Sequence, residues 1–200
     1  MSKAAIVDAD KTITRHPVAN SIGMIAYKEA EGWRKAYALI KGMEVIAGTP
    51  VLGEDWGLKT FVQALVKVGT SEEKMRYYGQ KALDKHLRYG AIENLNNISK
   101  DHDLYIITTG CDIGPKLLKE VYGVNMTDYY ANSLVYENSM LTDCDVKIDE
   151  NNIRDFAEAI ALSYDDSIII DDRPDRYVEK YSEVYGSIDA FMAEREMGKA

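Results

Sequence analysis

The stretch AAIVDADKT, Ala4 to Thr12, decides how this chain folds. Ala4, Ala5, Ile6 and Val7 form a short apolar run without polar alternation, the pattern of a strand covered on both faces of a parallel sheet. The run breaks off in Asp8 and Asp10, two carboxylates separated by one residue. Two further runs have the same shape: Leu104 to Ile107 ends at Thr108, and Ser167 to Ile170 ends at Asp171. Three buried parallel strands are therefore expected, each delivering a polar residue at its carboxyl end. In an open α/β sheet the ligand site lies beyond those ends.

Helical patterns follow two of these strands. Asp112 to Tyr122 begins with an acid and Pro115, places Leu117, Leu118 and Val121 at helical spacing, and stops at Gly123. Asp149 to Leu162 sets Ile153, Phe156, Ala157 and Ile160 on one face. The gap between the first and second strands far exceeds what one crossover helix needs. Within it, residues 17 to 88 are helix-like: Phe61, Leu65 and Val68 repeat at three and four, and Thr70 with Glu73 has the form of a capping box. Gly90 to Lys100, carrying Ile92, Leu95 and Ile98, returns the chain to the sheet. Leu134 to Leu141 alternates around Glu137, Asn138 and Ser139, which predicts a two-stranded flap. From Arg176 onward the pattern is weak, and no clear apolar strand follows. The expected architecture is α/β, a Rossmann-like three-layer α/β/α sandwich with a mainly parallel sheet. Residues 1–14 and 89–200 would form the core, and residues 15–88 a small inserted helical cap.

Composition narrows the function. A chain of 200 residues has room for one well-packed core with an insertion. The net charge of −9, without any Lys/Arg-rich run, argues against nucleic acid as a partner. Nowhere do about 18 apolar residues run together, so no membrane span is expected. The opening MSKAAIVDAD enters a strand directly and lacks the apolar stretch of a secretory signal, which suggests a cytoplasmic protein. Cys111 and Cys144 have neither zinc nor redox spacing and read as buried or incidental thiols. Oligomeric state is not legible.

The acids carry the chemistry. Asp8 and Asp10 follow the first strand; Asp171, Asp172 and Asp175 follow the last. Either set alone would pass for a solvated turn. Converging at one sheet edge, they would repel one another strongly unless a hard divalent cation sat among them, and an all-oxygen donor set suits Mg²⁺.

VDADKTIT, YIITTG, Lys147 and IIIDDRPD together resemble, in chain order, the four motifs of the haloacid dehalogenase superfamily of phosphohydrolases. ANSLVYENSMLTDCDV, residues 131–146, is similar in layout to the segment before the third motif in phosphoserine phosphatases, and the helical insertion sits where that group carries its cap. The resemblance implies Asp8 as the nucleophile that becomes an aspartyl-phosphate and Asp10 as general acid and base. It implies Thr108 and Lys147 as phosphate ligands, with backbone N–H groups around Thr109 and Gly110. It places Mg²⁺ among Asp8, Asp10 through its carbonyl, and Asp171, with Asp172 and Asp175 completing or orienting the shell. Lys11 departs from the small residue often found in its place. Lys147, ahead of the predicted helix, is preferred for the third motif, and Arg154 within it is the alternative.

The implied activity is hydrolysis of a small phosphorylated metabolite: a phosphoserine-like compound, a sugar phosphate or a nucleotide. A phosphomutase or phosphotransferase, or a non-catalytic protein that binds phospho-ligands, would use the same fold. In the cap, Arg15, His16, Lys28, Glu29, Arg34 and Lys35 are charged candidates for the cleft, whereas Tyr27, Trp33 and Tyr37 are expected in its interior.

Overall fold

The structure is a computed structural model that describes residues 2–177 and 183–197. Its centre is a six-stranded sheet in the order β4-β3-β2-β1-β5-β6. Strand β1 (Lys3–Asp8) lies between β2 (Asp103–Cys111) and β5 (Asp166–Ile170), parallel to both. Beyond β2 runs β3 (Asp128–Glu137), parallel in its first half, and then β4 (Met140–Asp145), which is antiparallel. Outside β5 is β6, only Val184–Tyr185.

Period-two alternation divides the apolar residues of β1 between two cores. Ala4 and Ile6 pack with Ile107, Ile169 and the helix α7 (Ile153–Ala161). Ala5 and Val7 face the other side, with residues of α5 (Ala91–Ile98), α6 (Ile113–Glu120) and α8 (Ile188–Met197). Helices on both faces leave no solvated side, which is why the inner strands read as continuous apolar runs. The three-layer expectation holds. The short β6 followed by α8 accounts for the faint pattern after Arg176, and residues 178–182 and 198–200 of that tail lie outside the described residues.

Four helices fill the insertion: α1 (Val18–Glu29), α2 (Gly32–Leu52), α3 (Glu54–Lys67) and α4 (Glu72–His86). The cap of α4 is Ser71, whose hydroxyl accepts from the Lys74 N–H at 3.2 Å, rather than Thr70. Thr70 is buried and pairs through its backbone instead, its carbonyl accepting from Leu141. The entry and exit strands of the insertion meet in a bridge between Thr14 and Leu87. The β3–β4 hairpin turns on Asn138 and Ser139, with φ of 50° and 63°, the left-handed pair that a two-residue turn requires. Its tip lies against the insertion: Ser71 bridges to Met140, and the Glu72 N–H donates to the Ser139 carbonyl. Among the described residues no helix is long and apolar enough to cross a membrane.

Candidate active site

The chain steps outward from β1 to β2 and β3, then returns to β5 on the other side of β1, so the strand order reverses beside Asp8. Register pairs Asp8 with Ile107 and Val7 with Ile170, which brings Thr108 and Asp171 out beside the end of β1.

Asp8 is buried, and its carboxylate accepts from the Thr12 hydroxyl at 3.2 Å. Oxygens of Asp8, Asp171 and Asp172 lie within 4.8 Å of one another. Asp171 is itself held in place, accepting from the Arg173 N–H at 2.8 Å and from the buried Tyr177 hydroxyl at 3.1 Å. Desolvation holds the Asp8 carboxyl well above its usual range, with repulsion from Asp171, Asp10 and Asp172 adding to it and the Thr12 bond opposing. A cation would relieve that repulsion, and three carboxylates form the oxygen set that hard divalent ions take. The residues fit such an ion.

Asp10 sits on the turn after β1. Its carboxylate accepts from the Val18 N–H, the first residue of α1, at 3.0 Å. Burial pushes its pKa up to about 6, against the lowering effects of that bond and of Lys11. The turn adopts a left-handed backbone at Lys11, with φ of 65°, and the Lys11 carbonyl accepts from the Arg88 Nε and Nη2 at 3.2 and 2.6 Å.

On β2, the Thr108 hydroxyl is buried and accepts from the Gly110 N–H at 2.9 Å. A Cβ on Gly110 would lie 3.2 Å from both Asp10 Oδ2 and Thr108 Oγ1, so only glycine leaves that space open. Thr109 and Gly110 border, with Asp8, Asp10 and Asp172, a cavity of ≈ 200 Å³.

Neither candidate basic residue of the third motif borders that cavity. The Lys147 ammonium pairs with Asp145 at 3.0 Å, and Arg154 pairs with Glu158 at 2.9 Å on the surface of α7. The cations that line it are Lys11 and Arg173. Asp175 is exposed, because the 3₁₀ turn Pro174–Arg176 carries it away from the sheet end, and it stands outside the group of three acids.

Several residues escaped the sequence. Asn132, fully buried on β3, donates to the Thr109 and Ile148 carbonyls and accepts from the Lys147 and Ile148 N–H groups, all at 2.7–2.8 Å. It ties the end of β2 to the segment bearing Lys147. Glu54, at the start of α3, faces Arg173 across the cavity at 3.9 Å, and Arg173 also binds Glu150 at 2.6 Å. Isolated polar residues in an insertion give no sequence signal for such pairings. Arg15, His16, Lys28, Glu29, Arg34 and Lys35 do not border the cavity; His16 stands edge-on to His86, ring centres 5.1 Å apart. Trp33, expected in the interior, is 64% exposed. Cys111 and Cys144 are buried free thiols.

Solved structures share this arrangement of strands and helices. The fold is shared with solved phosphoserine phosphatases and a HAD family hydrolase. A substrate-bound phosphoserine phosphatase is 18% identical with a TM-score of 0.62, covering 100% of this chain and 98% of its own. A phospho-aspartyl intermediate analogue of phosphoserine phosphatase gives 17% and 0.61, covering 94% and 95%. A HAD family hydrolase from Salmonella enterica serovar Typhi gives 18% and 0.61, covering 84% of this chain and 55% of that one. No family model and no curated protein matches the sequence.

Proposed function

We propose that the chain is a Mg²⁺-dependent phosphatase of small phosphomonoesters. The observation that carries this is the position of Asp8, between three converging features: the acids Asp171 and Asp172, the Thr109–Gly110 backbone, and Asp10 held by Val18. In this mechanism the Asp8 carboxylate attacks phosphorus while Asp10 gives its proton to the departing alkoxide, leaving an aspartyl-phosphate and a free alcohol. Asp10 then takes a proton from water, the water oxygen attacks phosphorus, and phosphate leaves with Asp8 restored. Mg²⁺ would be held by Asp8, Asp171, Asp172 and the Asp10 carbonyl, and when bound supplies positive charge against the phosphoryl oxygens.

Thr108, Thr109 and Gly110 would cradle those oxygens, Thr108 by turning its hydroxyl from the Gly110 N–H toward the ligand. Lys147 would leave Asp145 and reach the phosphate from a backbone that Asn132 holds next to Thr109. Residues 15–88 would serve as the lid that meets the leaving group and excludes water. The fold's occurrence in a phosphoserine phosphatase with a phospho-aspartyl analogue supports the covalent route. The test is phosphate release from a panel of phosphoesters with Mg²⁺, comparing the parent with Asp8→Asn. Undiminished turnover in the variant would sink the mechanism.

A further inference from the structure

The cavity beside Asp8 does not end at the lid. Ala19, Asn20, Val45 and Phe61 border it and also border a second cavity of ≈ 290 Å³ that runs between α1, α2 and α3. The junction is shaped by close helix contact. Gly48 of α2 lies against the Trp56 ring, where any Cβ would come within 2.4 Å of ring carbons, and Gly57 of α3 lies as close to Thr49. Away from that contact the groove runs past Met24, Ala64 and Leu65.

Its walls are apolar almost throughout. The polar side chains on it are Asn20, Tyr27 and Lys41, and the Lys41 ammonium pairs with Glu44 at 2.5 Å. The charged groups Glu54 and Arg173 lie at the other end, by the acids, where they face one another. A zwitterionic leaving group such as an amino acid needs a partner for each charge once it leaves water; this groove has no acid for an ammonium, and its one charged group, Lys41, is already paired with Glu44. An apolar chain needs only surface to cover.

We infer that the groove takes the apolar leaving group of a phosphomonoester, a single alkyl-like chain whose phosphate sits at Asp8. This rests on the phosphatase function proposed above. The two cavities adjoin at Ala19, Asn20, Val45 and Phe61, and that adjacency sets the occupant: a chain leaving the phosphate away from the sheet meets the groove next.

The test is a series of ethyl, butyl, hexyl and octyl phosphate, with phosphoserine beside it, assayed with Mg²⁺ for phosphate release and by calorimetry for binding. The expected result is a rise in kcat/KM of about two- to fourfold for each methylene, as burial of a CH₂ in a partly open groove gives, with phosphoserine near ethyl phosphate. Ala64→Phe, which fills the groove, should flatten that slope, and Trp33→Ala, outside it, should keep it; melting curves confirm that both are folded. Phosphate release that ignores chain length overturns the groove's assignment and leaves the phosphatase standing. Binding that tightens with chain length without any release keeps an apolar-chain site and overturns the phosphatase. A dimer that Ile46→Asp, on the exposed rim of the groove, splits, with octyl phosphate no better than ethyl, assigns the groove to a second copy and overturns the inference.

Discussion

The carboxylate of Asp10 accepts a hydrogen bond from the backbone N–H of Val18 at 3.0 Å, so the proposed acid is fastened to the first turn of α1. One oxygen is spent on that bond, and the other lies by Gly110. Asp10→Asn keeps the shape but cannot exchange a proton. Phosphate release should fall about 10²- to 10⁴-fold, least for esters with good leaving groups, and a comparison of alkyl with aryl phosphates measures that difference.

The Asp10 pKa, raised from 3.8 to about 6, sets a pH dependence of stability. The folded protein holds this proton more tightly than the unfolded chain, so the favourable contribution is complete below about 4 and is lost as pH rises to about 6. The shift corresponds to about 3 kcal/mol at most for the metal-free protein. Burial raises the Asp8 carboxyl in the same sense. Melting midpoints in EDTA should therefore drop across this window, Asp10→Asn should flatten the drop, and saturating Mg²⁺ should reverse it. A midpoint that rises with pH in EDTA would contradict the burial of these acids.

Asn132 satisfies four backbone groups at once. Asn132→Ala leaves the buried Ile148 N–H and carbonyl, and the part-buried Thr109 carbonyl and Lys147 N–H, without these partners and should cost about 3 kcal/mol in urea unfolding. Among molecules still folded, KM should rise, because Thr109 and the Lys147 segment lose their common anchor.

Lys147 and Arg154 separate cleanly in experiment. With Lys147 proposed to reach the phosphate, Lys147→Ala should lower kcat/KM by roughly 10²-fold. Arg154→Ala, which removes an exposed pair with Glu158, should change it less than about twofold. The reverse order would transfer the role to Arg154.

Gly110→Ala tests the space beside Asp10. Its backbone is not left-handed, so the fold should lose little, but the methyl presses on Asp10 and Thr108 at 3.2 Å. Activity should fall about tenfold or more with a melting midpoint within a few degrees of the parent.

The strands that carry the acids were legible because burial on both faces removes polar alternation, and Ala4–Val7, Leu104–Ile107 and Ser167–Ile170 lack it. The flap was legible because Leu134 to Leu141 alternates around the polar run Glu137, Asn138 and Ser139, and the last two carry the turn. Convergence of Asp8 with Asp171 and Asp172 followed from strand ends, since parallel strands deliver them to one edge. What stayed hidden depends on contacts between distant side chains. Nothing local marks Asn132 as a clamp, Tyr177 as a partner of Asp171, or Arg88 as a support for the Lys11 turn. Trp33 misled because aromatic residues at helical spacing normally face a core, and α2 buries none of its residues.

That hairpin contact at Ser71 and Met140 has a mechanical consequence. The insertion is stitched to the sheet at its neck, through Thr14 and Leu87, and again at the far end of α3, through Thr70, Glu72 and the hairpin tip. A body pinned at two separated points cannot swing about either one alone. Helix α4 runs from one seam to the other and α1 starts at the neck, so both are anchored to the sheet, whereas α2 is the one helix of the four with nothing buried. The way into this site therefore runs along a helix held by its neighbour α3 through Gly48 and Gly57, with no buried side chain of its own.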